Sequence, residues 1–126
     1  MGRVNVEEHK GHRIVVADCR NCTPEQLIDV FDEVKEIVTA QPEHSIHTLT
    51  DFTGAQFDRD SITRLKEAAA FDRPHVVRAA FIGVDTLPEV YHKAIENFSA
   101  RRFAAFKTKE EALEYLTKNA ANRQSA

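Results

Sequence analysis

Cys19 and Cys22 form a C-x-x-C pair between a strand-like run and a helix-like run, a setting in which two thiols can cycle through a disulfide. Thr23-Pro24 fixes the start of the helix after Cys22, so both thiols precede its first turn. The plainer alternative is that Cys19 ends a core strand and Cys22 packs at the helix entrance. His44-x-x-His47 would complete a four-ligand set suited to zinc, but geometry opposes it. The intervening helix, about 17 residues at ~1.5 Å each, holds the two pairs roughly 25 Å apart. The histidines then read as a solvated loop feature, and no metal is expected.

Asp51-Phe52-Thr53-Gly54 places an acid, a hydroxyl and a glycine at the carboxyl end of a strand, followed by Asp58, Asp60 and Ser61 at the next helix start. Such a rim is where open α/β sheets meet ligands and partners. The same residues can equally close a turn and cap a helix. Arg101-Arg102, with Lys107 and Lys109 behind, is the one basic cluster; it suits a phosphate or acidic partner, or the neutralisation of a helix end. There is no G-x-G-x-x-G, P-loop, nucleophile elbow or H-E-x-x-H, so the chain reads as non-enzymatic and implies no cofactor.

These residues need a scaffold, and the bulk numbers bound it. A length of 126 residues fits one domain; 42% apolar and 29% charged residues match a soluble globular protein. The net charge of −3 gives no nucleic-acid footprint. No apolar run approaches the roughly 20 residues needed to span a bilayer. With no secretory pattern in MGRVNVEEHKGH and only two cysteines, a cytoplasmic protein is expected.

Val4 to His9 and His12 to Ala17 read as a hairpin about the Lys10-Gly11 turn. Thr23, Pro24 and Gln26 supply an N-cap, first-turn proline and capping box for a helix whose inner stripe holds Leu27, Phe31, Val34 and Val38. Ile46 to Phe52 is a core strand, and Asp58 caps a helix with Ile62, Leu65, Ala68 and Ala69 inward. His75 to Val84 is a third core strand. Asp85 or Thr86 caps a helix burying Leu87, Tyr91, Ala94 or Ile95, and Phe98. Phe103 to Phe106 is a short strand, Thr108 with Glu111 a second capping box, and 119–126 a tail beyond a domain of residues 1–118. The order predicts a single α/β domain: a mixed, mostly parallel sheet of about five strands, with an N-terminal antiparallel hairpin, packed by four helices.

GHRIVVADCRNCTPEQL, HTLTDFTGAQFDRDSITRLKEAA and ENFSARRFAAFKTKEEALEYL together resemble the SpoIIAA-like group of STAS-related bacterial domains, over about residues 11 to 118. The resemblance implies a STAS-like fold. In anti-sigma factor antagonists of the wider class, a serine at the helix start after this turn is phosphorylated to control partner binding, and that position falls on Ser61. The class pattern there is Asp-Ser-Ser-Gly; this chain has Arg59-Asp60-Ser61-Ile62, a degenerate form of the phosphoserine motif. The group is also compared with lipid-transfer domains of CRAL-TRIO type, for whose large cavity this chain is short.

Three functions follow in order. The first is a non-catalytic module presenting Asp51, Thr53, Gly54, Asp58 and Ser61, with Arg101 and Arg102, to a protein partner or small ligand. The second is a carrier or sensor of a small amphipathic molecule, with Phe52, Phe57 and Phe81 lining a pocket and Arg101 or Arg102 holding an anionic head. The third is a thiol oxidoreductase using Cys19 and Cys22. An exposed first hairpin and flat helix faces suit a symmetric homodimer.

Overall fold

Lys10 and Gly11 both take positive φ, 51° and 81°, the geometry of a two-residue hairpin turn whose twist matches its strands. They join β1 (Val4–His9) to β2 (His12–Asp18) in antiparallel register, His9 opposite His12. In this computed structural model, which describes residues 2–99 and 104–118, the sheet continues in parallel through β3 (Ile46–Asp51), β4 (Val76–Ile82) and β5 (Ala105–Phe106). The strands lie in chain order, with β3 in the middle. The fold is a single mixed α/β domain with four helices.

Each crossover helix starts where local chemistry dictates. At α1 (Pro24–Thr39), the Thr23 hydroxyl accepts from Gln26 N and the Gln26 side chain accepts from Thr23 N, a closed capping box. At α2 (Arg59–Asp72) Asp58 and Ser61 do the same. At α4 (Lys109–Leu116), Thr108 accepts from Glu111 N, but the Glu111 carboxylate reaches Lys107 N instead, so the expected second box is only half formed.

One helix start differs from expectation. β4 stops at Ile82, Gly83 turns left-handed at φ 77°, and Val84–Thr86 makes a 3-10 turn before α3 (Glu89–Ser99). Thr86 therefore caps no α-helix; its hydroxyl donates to Gly83 O at 2.6 Å and accepts from Gly54 N at 3.1 Å. Pro88 precedes α3, where its missing N–H leaves no donor orphaned.

Alternation along the strands divides the core. Val15 and Ala17 of β2, Ile46 of β3 and Phe81 of β4 face Leu27, Phe31 and Val38 of α1, Leu65 and Ala68 of α2, and Ile95 of α3. Ile14, Leu49, Ala80 and Ile82 face the opposite way, against Ala112 and Leu116 of α4. In β4 the register slips by one: Ile46 pairs with Val76 but Thr48 with Ala79, so an extra residue bulges out near Val77 and Arg78. The expectations placed on Arg101, Arg102, Phe103, residues 119–126 and the Phe98 side chain lie outside the described residues.

Candidate functional site

The carboxyl ends of the parallel strands form the rim that the sequence pointed to. Asp18 and Asp51 are register partners there, and Asp51 finishes the central strand. The rim's polar groups are already engaged. Asp51 Oδ1 accepts from Thr53 N at 3.0 Å and from Thr53 Oγ1 at 2.7 Å. Arg20 grips Asp18 with Nε and Nη2, each at 2.9 Å, and this bond holds the Asp18 carboxyl below its ordinary range. Backbone bonds sew the loops together: Cys19 N to Asp51 O, Asn21 N to Thr53 O and Gln56 N to Cys22 O, each 2.9 Å, and Phe52 N to Ile82 O, 2.7 Å.

Two glycines make that stitching fit. A Cβ on Gly54, at φ 70°, would collide with the Asn21 side-chain oxygen. One on Gly83 would sit 2.6 Å from Thr53 N and 2.7 Å from Thr53 Cα, against backbone that cannot swing aside.

Ser61 is fully buried. Its Oγ lies 2.8 Å from Asp58 N, 2.9 Å from Asp58 Oδ1 and 3.2 Å from Asp58 O. The Ser61 N–H and hydroxyl draw the Asp58 carboxyl below its usual value. Asp58, Thr53 and Gly54 are exposed; Asp51 pairs with Thr53 in the rim turn, and Asp58 pairs with Ser61 at the start of α2, where Ser61 lies beneath the surface as part of a cap.

Cys19 and Cys22 are both free and fully buried. Cys22 N donates to Cys19 O at 3.2 Å, which sets the two thiols side by side. The neighbouring Cys22 thiol, then burial, pushes Cys19 up, and Cys19 in turn draws Cys22 down to about 7. Burial withholds both sulfurs from a substrate disulfide.

His47 corrects the sequence reading. It is a buried residue of β3, not a solvated loop feature, with Nε2 3.2 Å from His12 Nδ1 and its own Nδ1 buried without a partner among the described residues. Burial, then the neighbouring His12 and Arg78 charges, pushes it down to about 4. The H-x-x-H spacing misled because His44 precedes the strand, whereas His47 lies inside it and points toward α4's face. No group of three or more metal-ligating side chains occurs among the described residues.

Phe52 and Phe57 are core residues rather than pocket walls. Phe52 packs edge-on to Phe57 at 5.4 Å and parallel to Phe81 at 6.0 Å, and Phe57 meets Tyr91 at 5.7 Å. Of the three, Phe81 lines the cavity under α1 and α2. That cavity, about 440 Å³, lies under α1 and α2 and against β3 and β4, where the bulge falls. Its walls include Phe31, Val34, Leu65, Ala68, Thr48 and Thr50, and its lining extends to Asp72. The Thr48 and Thr50 side chains make no hydrogen bond among the described residues. The Asp72 carboxylate receives none either, and its Oδ1 is buried. Burial pushes Asp72 up to about 6 against the opposing charges of His75 and Lys35.

A larger concavity, about 980 Å³, runs past α4 with Lys10, Asp85, Lys107, Glu111 and Lys118 around it. It is more open and studded with charges, so an apolar ligand there would stay in contact with water. The volume of the helix-covered cavity falls in the range of small-molecule sites. Sequence reasoning missed it, because its threonines alternate on β3 with no pattern beyond ordinary strand composition.

Neither a protein-family model nor a curated protein matches this chain. Its architecture is SpoIIAA-like. A crystal structure of an uncharacterized protein of the DUF3478 family from Shewanella loihica PV-4, with a SpoIIAA-like fold, aligns over 90% of this chain and 91% of that one. The TM-score is 0.61 and the sequence identity 17%. The fold that the resemblance implied is therefore the fold found. Among the described residues no helix is long and apolar enough to cross a membrane.

Proposed function

We propose that this protein is a non-catalytic binding module that holds a small amphipathic ligand between its sheet and α1–α2. The observation that carries this reading is the cavity of about 440 Å³, apolar on its helix side and bearing two unengaged threonine hydroxyls on its sheet side. An apolar body would replace water against Phe31, Val34 and Leu65, and a polar end would meet the hydroxyls. This reading puts a small ligand on the helix-covered face and leaves the rim to a protein partner. Native mass spectrometry of freshly purified protein, with thermal shifts across a panel of acyl and alkyl amphiphiles, tests it. A retained ligand or a saturable rise in Tm is expected; a clean apo mass with no shift overturns it.

The rim supports a second reading, as a docking surface for a protein partner. Thr53, Gly54 and Asp58 are exposed beside Asp51, and the stitched loops would present them without an ordering cost on binding. In this reading Ser61 supports the helix start, and the sequence adds the basic Arg101 and Arg102 as candidate contacts. Self-association belongs to the same proposal: Val6 on the edge hairpin, Phe71 and Val90 expose large apolar side chains, 47%, 59% and 67% accessible. A cytoplasmic setting fits two thiols that stay reduced.

A further inference from the structure

Asp72 is the last residue of α2, where the helix dipole already disfavours a negative charge. Neither of its oxygens receives a hydrogen bond among the described residues. The cations around it are turned to other work. Lys35 sits over the Phe71 ring at 4.6 Å. His75 Nδ1 bonds Gln41 O at 2.7 Å. Arg78 donates to Tyr115 O at 2.7 Å and lies over the Tyr115 ring. His44 and Arg73 also border the cavity, but both are exposed to water. A carboxylate with one oxygen kept from water and neither given a donor costs free energy that a bound donor would return.

Resting on the cavity reading, we infer that the site selects an amphiphile with a protonated amine at its polar end, bound by Asp72 with Thr48 and Thr50 as further acceptors. An ammonium offers three donors and no acceptor, and matches one carboxylate and two hydroxyls. A fatty carboxylate of the same length would bring a second negative charge beside Asp72. An alcohol offers one donor and no charge.

Titration calorimetry of the full chain with octylammonium, 1-octanol and octanoate near neutral pH separates these cases. Octylammonium is expected to bind about tenfold tighter than octanol, and octanoate weakest. Asp72→Asn should abolish the preference, bringing the octylammonium and octanol affinities together. A second measurement needs no variant: lowering the pH to about 5 should weaken octylammonium binding as Asp72 gains a proton, while octanol binding holds. His44 borders the cavity and the His75 charge faces Asp72, so both are ionisable groups beside the same site. The pH change in Asp72→Asn therefore measures their share, and a loss of equal size there would overturn the role of Asp72. If octanol or octanoate binds as tightly as the amine, the selectivity is wrong and the cavity reading survives. If none of the three binds, the cavity reading falls and takes the selectivity with it.

Discussion

The rim and the cavity lie on one sheet and handle their polar groups in opposite ways. At the rim Asp18, Asp51, Thr53, Asp58 and Ser61 hydrogen-bond to near neighbours, and three loops share backbone bonds. In the cavity Thr48, Thr50 and Asp72 have no such partners among the described residues. A fold that satisfies its groups internally gains stability there and leaves little unmet affinity for a ligand. Unsatisfied groups beside an apolar space have the reverse balance. The residues that look most chemical in the sequence are therefore those with the least left to offer a small molecule.

The sharpest way to break this contrast is to charge the buried cap. Ser61→Glu would place a carboxylate where the Ser61 hydroxyl is fully enclosed, with a stability loss of about 3 kcal/mol in chemical denaturation. The favourable helix dipole returns only about 0.3–1 kcal/mol. An unchanged denaturation midpoint would reopen Ser61 as an accessible switch.

Next comes the stitching itself. Gly83→Ala should cost about 2 kcal/mol, from a positive φ and from Thr53 backbone atoms 2.6–2.7 Å from the new carbon. Exposed Gly11 shares the positive φ but has open space around it, so Gly11→Ala should cost less. Equal losses would mean that backbone strain alone sets the cost and the rim loops are not tightly joined.

The smallest effect is a pH dependence with two opposing parts. His47 titrates near 4 in the fold against an ordinary 6.5, so the unfolded chain binds its proton first. Its contribution is complete above about pH 6.5 and is lost as pH falls toward 4. Asp72 titrates near 6 against 3.8, so its burden is absent at low pH and grows as pH rises through that window. Between pH 4 and 6 the two slopes partly cancel. Asp72→Asn should raise Tm at neutral pH and steepen the loss on acidification; His47→Leu should flatten it. Parallel melting curves for all three proteins across that range would show that neither group is held as described.

Much of the scaffold was legible because its signals are local. Thr23, Pro24 and Gln26 define a helix start within four residues, and Asp58 and Thr108 do so by the same hydroxyl or carboxylate geometry. Lys10-Gly11 fixes the hairpin, and the β-branched run at Ile14 marks a strand covered on both faces. Asp51 at the end of an interior strand followed from where the apolar run stopped. The start of α3 was misread because Gly83 and a 3-10 turn interrupt a stretch whose composition continues as a strand.

The sequence by itself determined the order of elements, their caps and the rim on which Asp51 stands, since each depends on residues a few positions apart. Tertiary structure decided the bulge at Val77–Arg78, the meeting of His12 with His47, the enclosure of Ser61 and the space beside Asp72. Those features depend on how helices from distant parts of the chain settle on the sheet. A cavity is the volume their side chains leave unfilled, which no local pattern specifies.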